Sequence, residues 1–322
     1  MKEIIIDEKY DGIRFDKYLS KLLCNCSSSF IYKMLRKKNI LLNDKVAKGS
    51  EKLKDGDRIF IFFKDETYDK FTDKSLINTN DTIDNKYLNV FTQHIIYEDD
   101  NLVIVDKWEG IKSQNDIKSD ISINTIFVHY LKDKKKDLLY DGSILNRLDT
   151  NTKGLMLCAK NYKTSRVLTD AIKTRKIKKY YRFIINGSLK NKSGNVKLYM
   201  KKDSLVANIS DKALDGYDEI ITEYKIIKEF DKYSIVEALL VTGKFHQIRA
   251  SFSHIGNPLV LDRKYENREL YEDNKKHFEG ENQLLISYKI VFNNIDDNEY
   301  KYLDNKSFYS KYDIEDYIID EI

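Results

Sequence analysis

Asn146-Arg147-Leu148-Asp149-Thr150-Asn151-Thr152-Lys153-Gly154-Leu155-Met156-Leu157 sets a lone carboxylate beside an arginine in a polar turn between two apolar runs. Ile144 and Leu145 lead in, Gly154 closes the turn and Leu155 to Ala159 leave it, so the stretch reads as strand, turn, strand. Asp149 is thereby held at the end of a rigid element, where site residues concentrate. An aspartate just after a strand more often only caps a turn, so this dipeptide alone does not establish chemistry.

The chain of 322 residues, 41% of them apolar, is long enough for two domains with a sizeable core. No apolar run reaches membrane-spanning length, and the start MKEIIIDEKY lacks a signal-peptide profile, so a cytoplasmic protein without membrane contact is expected. Cys24, Cys26 and Cys158 are odd in number, and the first two lie too close for an easy bridge; they read as reduced thiols. Together with His94, His129, His246, His254 and His277 they give no metal-ligand spacing, and no metal is expected.

The formal charge of +4 hides an asymmetry. Residues 296 to 322 carry nine acids against three lysines, a net of −6, which leaves +10 on residues 1 to 295. The segment 305–322 therefore reads as an acidic tail, a solvated cover or frayed end. Residues 160 to 182 hold nine basic residues (Lys160, Lys163, Arg166, Lys173, Arg175, Lys176, Lys178, Lys179, Arg182) against the single Asp170, a run that points to a polyanionic partner or to a solvated helix face.

Residues 1–66 form the first expected domain. Arg14 to Leu23 reads as a helix with Phe15, Leu19, Leu22 and Leu23 on one side, and the serines 27 to 29 introduce a second helix, Phe30 to Lys37. At about 100° per residue, Phe30, Ile31, Met34 and Leu35 share one arc while Lys33, Arg36 and Lys37 lie nearly opposite. Strand and turn follow over Ile40 to Val46, and Asp55-Gly56-Asp57 precedes a strand from Arg58 to Phe63. Residues 67–92 are polar with little periodicity and read as a linker, which would raise the local concentration of the second domain.

The second domain, 93–304, has strand-like stretches at 95–97, 102–105, 181–185, 235–241 and 284–292 and helix-like ones at 122–131 and 162–174. Strands dominate in irregular order and no glycine-rich phosphate fingerprint follows a strand. An α+β fold with a mainly antiparallel mixed sheet, lacking a dinucleotide or nucleoside-triphosphate site, is expected beside the small N-terminal α/β domain.

Four strings in this order resemble the RluA-type RNA pseudouridine synthases. NRLDTNTKGLMLCAK is similar to that family's HRLDxxTSGLLLxAK, and HIIYEDDNLVIVDKWEGIKSQND resembles its opening strand pair. KKYYRFIING resembles KxYxAxxxG, and VTGKFHQIRASFSHIGNPLVLDRKY resembles TGRTHQIRxHxxxxGxPIxGDxxY. Asn146 stands where the family usually has His, Lys153 where it often has Ser, Trp108 in place of a proline, Lys244 for a common Arg, and Leu261 for the usual Gly before Asp262. In the first domain, RFDKYLSKLL, SSSFIYKMLRKKNILLNDKVAKGSEKL and DGDRIFIFF resemble the RNA-binding domain named after ribosomal protein S4.

The resemblance implies a pseudouridine synthase fold and an isomerase that converts uridine to pseudouridine in RNA, with Asp149, Tyr181 and Arg249 as its catalytic residues. The glycosidic carbon–nitrogen bond breaks, uracil turns, carbon 5 joins the ribose and loses its proton. No redox step occurs, so no cofactor is expected. A carboxylate can add to the sugar or take a proton from it, and a guanidinium at Arg249 favours its charged form. Tyr181 would stack on the uracil or help remove the last proton, and Arg147 would brace the space left by the flipped base. Lys179, His246 and Gln247 join them as substrate-binding candidates, with orientation of the turn the favoured role for His246 and Gln247. Lys33, Arg36, Lys37 and Lys45 are expected to hold RNA by its phosphates. Large-subunit ribosomal RNA is the first expected substrate and transfer RNA the second, read by a monomer that excludes duplex DNA. Two other classes stay open: a glycosidase or base-excision hydrolase, which would want a second carboxylic acid, and a non-catalytic RNA-binding or ribosome-assembly protein.

Overall fold

The computed structural model describes residues 1–73, 83–115, 121–132, 134, 139–203 and 205–319. In the N-terminal unit, β1 (Lys2–Ile5), α1 (Phe15–Leu22), α2 (Ser28–Arg36), β2 (Ile40–Leu42) and β3 (Arg58–Ile61) build an antiparallel sheet of order β1-β3-β2 beside two helices. Ser27 caps α2 by accepting from the Phe30 N–H at 3.3 Å, satisfying one of the free donors at the helix start. Ile31, Met34 and Leu35 then fall on the buried side, with Phe15, Leu19 and Ile59 among their neighbours in one core, and Lys33, Arg36 and Lys37 on the exposed one.

The segment expected as a linker is helical at both ends. In α3 (Asp65–Thr72), Phe71 stacks edge-on against Phe30 and Phe63 at 5.1 and 5.8 Å, which ties it to the first core. In α4 (Asn85–Gln93), Phe91 is fully buried in the second. Tyr68 with Phe71, and Leu88 with Phe91, are each spaced by three residues, a short helical period that the surrounding polar residues conceal. Residues 74–82 lie outside the described residues.

The second unit continues through β4 (Ile95–Glu98), β5 (Leu102–Lys107), α5 (Ile123–Tyr130), β6 (Ser143–Ile144), β7 (Lys153–Ala159), α6 (Tyr162–Lys173), β8 (Ile177–Asn186), β9 (Ser193–Asp203), β10 (Val206–Ser210), β11 (Asp218–Glu229), β12 (Tyr233–Leu240), α7 (Gln247–His254), α8 (Arg268–Asn274), β13 (Leu285–Phe292) and β14 (Ser307–Tyr309). One sheet runs β10-β9-β11-β12-β8-β13-β7-β5-β4, with β14 beside β13 and β6 beside β7. Every described pair is antiparallel except β13 with β7, so the fold is α+β with a mainly antiparallel mixed sheet. No helix among the described residues is long and apolar enough to cross a membrane.

Both faces of the sheet centre are covered, which is why residues 102–105 of β5 and 155–159 of β7 are continuous apolar runs. Val103, Val105, Met156 and Cys158 face the core that contains α4, α5 and α7, while Leu102, Ile104, Leu155 and Leu157 face a second core with Leu168 and Tyr300. The same alternation on β8 sends Tyr181, Phe183 and Ile185 to the α7 side.

Two charge-based expectations change. The acidic segment is no frayed tail through residue 319: β14 pairs with β13, Ile314 is buried, and Ile318 bridges to Phe278. Apolar residues spaced among the acids drive that packing. The basic run at 160–182 is largely engaged within the chain, since Lys160 pairs with Glu98, Lys176 with Asp296 and Arg182 with Glu237. Lys163 and Arg166 reach across to Glu8 and Asp11 of the first unit at 2.8 and 2.9 Å. Lys173, Arg175 and Lys178 remain exposed, with no ion pair among the described residues.

Gly154 is where β7 crosses β13. Its φ is +114°, and a Cβ there would stand 2.3 Å from the Ser287 carbonyl oxygen and 2.7 Å from its nitrogen. Backbone strain and overpacking then act together, and Gly154→Ala is expected to cost about 3 kcal/mol or more in urea unfolding. Wild-type stability in that variant would contradict the close crossing.

Candidate active site

Asp149 sits in the turn between β6 and β7, and its neighbours are pinned from several sides. The Leu148 N–H donates to Ser113 Oγ at 2.9 Å, and that hydroxyl donates to the Leu148 carbonyl at 2.7 Å. Asn146, buried, accepts from the Leu157 N–H at 2.8 Å, so it stitches the lead-in to the outgoing strand without needing to titrate. The Gly110 N–H donates to the Thr150 carbonyl, and the Thr152 N–H to that of Asp149, both at 3.1 Å.

Lys107, at the end of β5, has no exposed surface. Its ammonium donates to the carbonyls of Trp108, Thr150 and Thr152 at 2.9, 2.7 and 2.8 Å, matching three N–H groups to three acceptors on both sides of the turn. Burial pulls Lys107 down to about 7, while Asp149 and Glu109 act to raise it. Sequence reasoning assigned it no role. The available signal was an Asp-Lys pair closing a run of four apolar residues, 102–105.

Arg249, on α7 and 5% exposed, joins two carboxylates. Its Nε and Nη2 donate to the two oxygens of Asp262 at 2.7 Å each, and its Nη1 donates to Asp149 Oδ2 at 2.9 Å. Burial alone would lower the guanidinium, but Asp262 first and then Asp149 outweigh it and hold it above its ordinary value. Asp262 is wholly buried, whereas the Asp149 side chain keeps 26% of its exposure, so the pair opens to solvent only at Asp149. Leu261, before Asp262, has φ +60°, a left-handed conformation that costs a branched residue about 1–2 kcal/mol and that glycine adopts freely.

Tyr181 is buried on β8, and burial pushes its hydroxyl well above the ordinary phenol range, with Asp149 adding to the rise against Ser287. A phenol so disfavoured as an anion is suited to ring contact more than to taking a proton. His246 precedes α7 with φ +53°; its Nε2 lies 3.6 Å from Asp149 Oδ2, its Nδ1 meets the Tyr265 hydroxyl at 3.0 Å, and Phe245 stacks on its ring at 3.7 Å. Burial lowers His246 to about 4 against the pull of Asp149, which leaves it neutral at pH 7. Gln247 is saturated: its amide donates to the Ile221 carbonyl and Thr222 Oγ1 at 3.0 and 2.9 Å, and its carbonyl accepts from Thr242 Oγ1 and the Lys244 N–H at 2.9 and 3.1 Å. Its role is to hold the 242–247 turn.

Arg147 is exposed two residues before Asp149, and Lys179 is half-buried near Gly243 with burial lowering its amine; neither has an ion pair among the described residues. Lys202 on β9, absent from the sequence candidates, lies 4.8 Å from the Phe245 ring. Lys33, Arg36, Lys37 and Lys45 are gathered elsewhere, exposed on α2 and on the turn after β2. No group of three or more metal-ligating side chains occurs among the described residues.

Residues 101–254 match the family described as RNA pseudouridylate synthase, and residues 13–59 match the S4 domain. A Rickettsia felis protein named ribosomal large subunit pseudouridine synthase C is 34% identical over 86% of this chain and 89% of its own length. Ribosomal large subunit pseudouridine synthase D of Blochmanniella floridana is 28% identical over 89% and 86%. Among solved structures, human RNA pseudouridylate synthase domain containing 4 has the same fold, with a TM-score of 0.57 over 71% of this chain and 92% of that one at 16% identity.

Behind Asp262 lies a buried polar cluster. The Glu266 N–H donates to the Asp262 carbonyl at 2.8 Å, and Glu266 Oε1 accepts from Asn186 Nδ2 at 2.7 Å and from Asn274 Nδ2. Glu266 Oε2 and Asn274 Oδ1 are both buried without a donor among the described residues. Burial pushes the Glu266 carboxyl up to about 7 from 4.5. An acid raised on folding binds more protons folded than unfolded between those values, so its contribution is complete below pH 4.5 and is lost as pH rises through 7. Glu266→Gln supplies the missing donor at every pH. Its melting temperature should exceed that of the wild type at pH 8 and lose the advantage at pH 4.5; the same offset at both values would refute this.

Proposed function

Because the chain belongs to the RNA pseudouridine synthase family, whose members isomerise uridine within RNA, we propose that Asp149 is the carboxylate that drives this reaction here, on large-subunit ribosomal RNA. The observation that carries the reading is the guanidinium fork of Arg249, fixed on buried Asp262 and extended to the single oxygen Asp149 Oδ2. Asp149 either adds to carbon 1′ of the ribose as the glycosidic bond breaks and leaves again when carbon 5 of the turned uracil bonds there, or takes a proton from the sugar and returns it; carbon 5 then gives up its proton and the freed ring nitrogen gains one.

The remaining residues divide by what they can offer. Tyr181 supplies an aromatic wall and stays protonated. Neutral His246, packed between Phe245 and Tyr265, shapes the turn next to Asp149. Arg147, exposed and without an ion pair among the described residues, fills the stack left by an extruded base. Lys179 is a phosphate or base contact, and Gln247 positions its own loop. The names of the relatives and the S4 domain support this substrate, with Lys33, Arg36, Lys37 and Lys45 of that domain holding RNA by its backbone. Asp262, the other carboxylate held by Arg249, is unsuited to be the second acid that a hydrolase needs, since both its oxygens are bonded to the guanidinium and it has no exposed surface.

Purified wild-type protein should convert uridine in large-subunit ribosomal RNA transcripts without change of mass or release of free base. Asp149→Asn should bind the same RNA within about threefold and lose at least about 10³-fold in turnover, some 4 kcal/mol of transition-state stabilisation. Undiminished isomerisation by this variant would remove Asp149 from its role.

A further inference from the structure

The acidic segment after β14 takes no part in the chemistry outlined above, yet it is joined to the turn that bears Asp149. We propose that residues 310–319 form a strap that belongs to the active-site scaffold, and that Lys153 is the positioning residue through which the strap steadies the Asp149 turn. The proposal rests on the assignment of Asp149.

The strap is anchored at two places. Ser310 Oγ donates to both oxygens of Asp106 at 2.8 and 3.0 Å, and the Lys311 N–H adds a third bond at 2.7 Å. Asp106 is fully buried on β5 and immediately precedes Lys107, whose ammonium holds the turn. Successive strand residues point to opposite faces, so β5 grips the strap with one side chain and the turn with the next. The second anchor is Lys153, whose ammonium donates to the Tyr317 hydroxyl at 2.9 Å, pairs with Glu109 Oε2 at 3.0 Å and lies 4.3 Å from the centre of the Tyr317 ring.

Glu109 completes a closed polar circuit. Its Oε1 accepts from Asn282 Nδ2 at 2.6 Å, and Asn282 Oδ1 accepts from Asn151 Nδ2 at 2.7 Å. Asn151 is two residues from Asp149 and two from Lys153, so the path Lys153–Glu109–Asn282–Asn151 leaves the Asp149 turn and returns to it, with Tyr317 joined at Lys153. The strap itself is not free to follow a moving lysine: Ile314 is buried, Tyr317 O accepts from the Glu279 N–H at 2.8 Å, and the Ile319 N–H donates to His277 O at 2.9 Å. A serine at this position would be too short to reach Tyr317. The lysine of this chain provides that connection.

The test uses the full-length protein and three variants, Lys153→Ser, Lys153→Arg and Tyr317→Phe. The amides of Thr152 and Gly110, bonded to the carbonyls of Asp149 and Thr150, report on the turn in hydrogen exchange. Lys153→Ser should speed exchange at both by about tenfold and lower kcat about tenfold with KM and RNA affinity unchanged. Tyr317→Phe, which removes only a hydroxyl, should move both readouts the same way. The double variant Lys153→Ser with Tyr317→Phe should be no worse than Lys153→Ser, and Lys153→Arg should restore most of the loss. Exchange at Thr152 and Gly110 within twofold of wild type in both Lys153→Ser and Tyr317→Phe would overturn the proposal. Wild-type protein without turnover on RNA would instead defeat the assignment of Asp149, and the exchange comparison would still decide whether the strap steadies the turn.

Discussion

A buried guanidinium must be neutralised where it lies, and this requirement organises the centre of the second unit. Arg249 could not be replaced by lysine on the same terms: a point charge has no planar fork to meet both oxygens of Asp262 while sending a further N–H to Asp149. Removing a charge from water costs several kcal/mol, and only close, directed bonds return it. Asp262 therefore belongs to the site as firmly as Arg249, although it has no exposed surface from which to touch a substrate. With His246 neutral, two carboxylates share one cation, and the surplus negative charge sits at the oxygen-bearing edge that faces solvent.

Such a centre demands a stiff frame, since a carboxylate displaced by an ångström loses its alignment with the guanidinium and, under the proposed reading, with an incoming ribose. The frame comes from backbone more than from side-chain packing. Ser113 takes and gives a bond at Leu148, Lys107 spans Thr150 and Thr152, and Gly154 lets β7 cross Ser287 where no side chain fits. Each bond contributes only about 1 kcal/mol net, but they restrain successive residues of one short turn. Movement of Asp149 would have to break several at once.

Asp149, Tyr181 and Arg249 were named together by the strings that resemble the family, and the structure sets Arg249 2.9 Å from Asp149, with Tyr181 close enough to feel its charge. Lys107 and Asp262 were not assigned roles, since a buried charge reads from sequence as one more surface residue until its acceptors are known. The errors of organisation have one physical source. In residues 67–92 and 305–322 acids, lysines and asparagines are interspersed among the apolar residues, but Phe71, Phe91 and Ile314 need only one buried face each to commit their segments to a core.

Charge runs carry the same lesson into recognition. The basic stretch 160–182 looks like a footprint for a polyanion, yet its ion pairs with Glu8, Glu98, Asp11, Asp296 and Glu237 direct much of it inward, and two of them join the units together. What counts for a nucleic acid is the cation left without an internal partner. Among the described residues, the cations without an ion pair include one set on the first unit, Lys33, Arg36, Lys37 and Lys45, and another on the second, Arg147, Lys179 and Lys202, besides Lys173, Arg175 and Lys178. Under the proposed reading, the first set supplies affinity that ignores sequence, because phosphates are alike at every nucleotide. The second set offsets the surplus charge of the two carboxylates, which would otherwise repel the backbone flanking the reacting uridine. Selection among uridines then has to come from the shape of the RNA that spans both sets at once, a requirement that neither unit imposes alone.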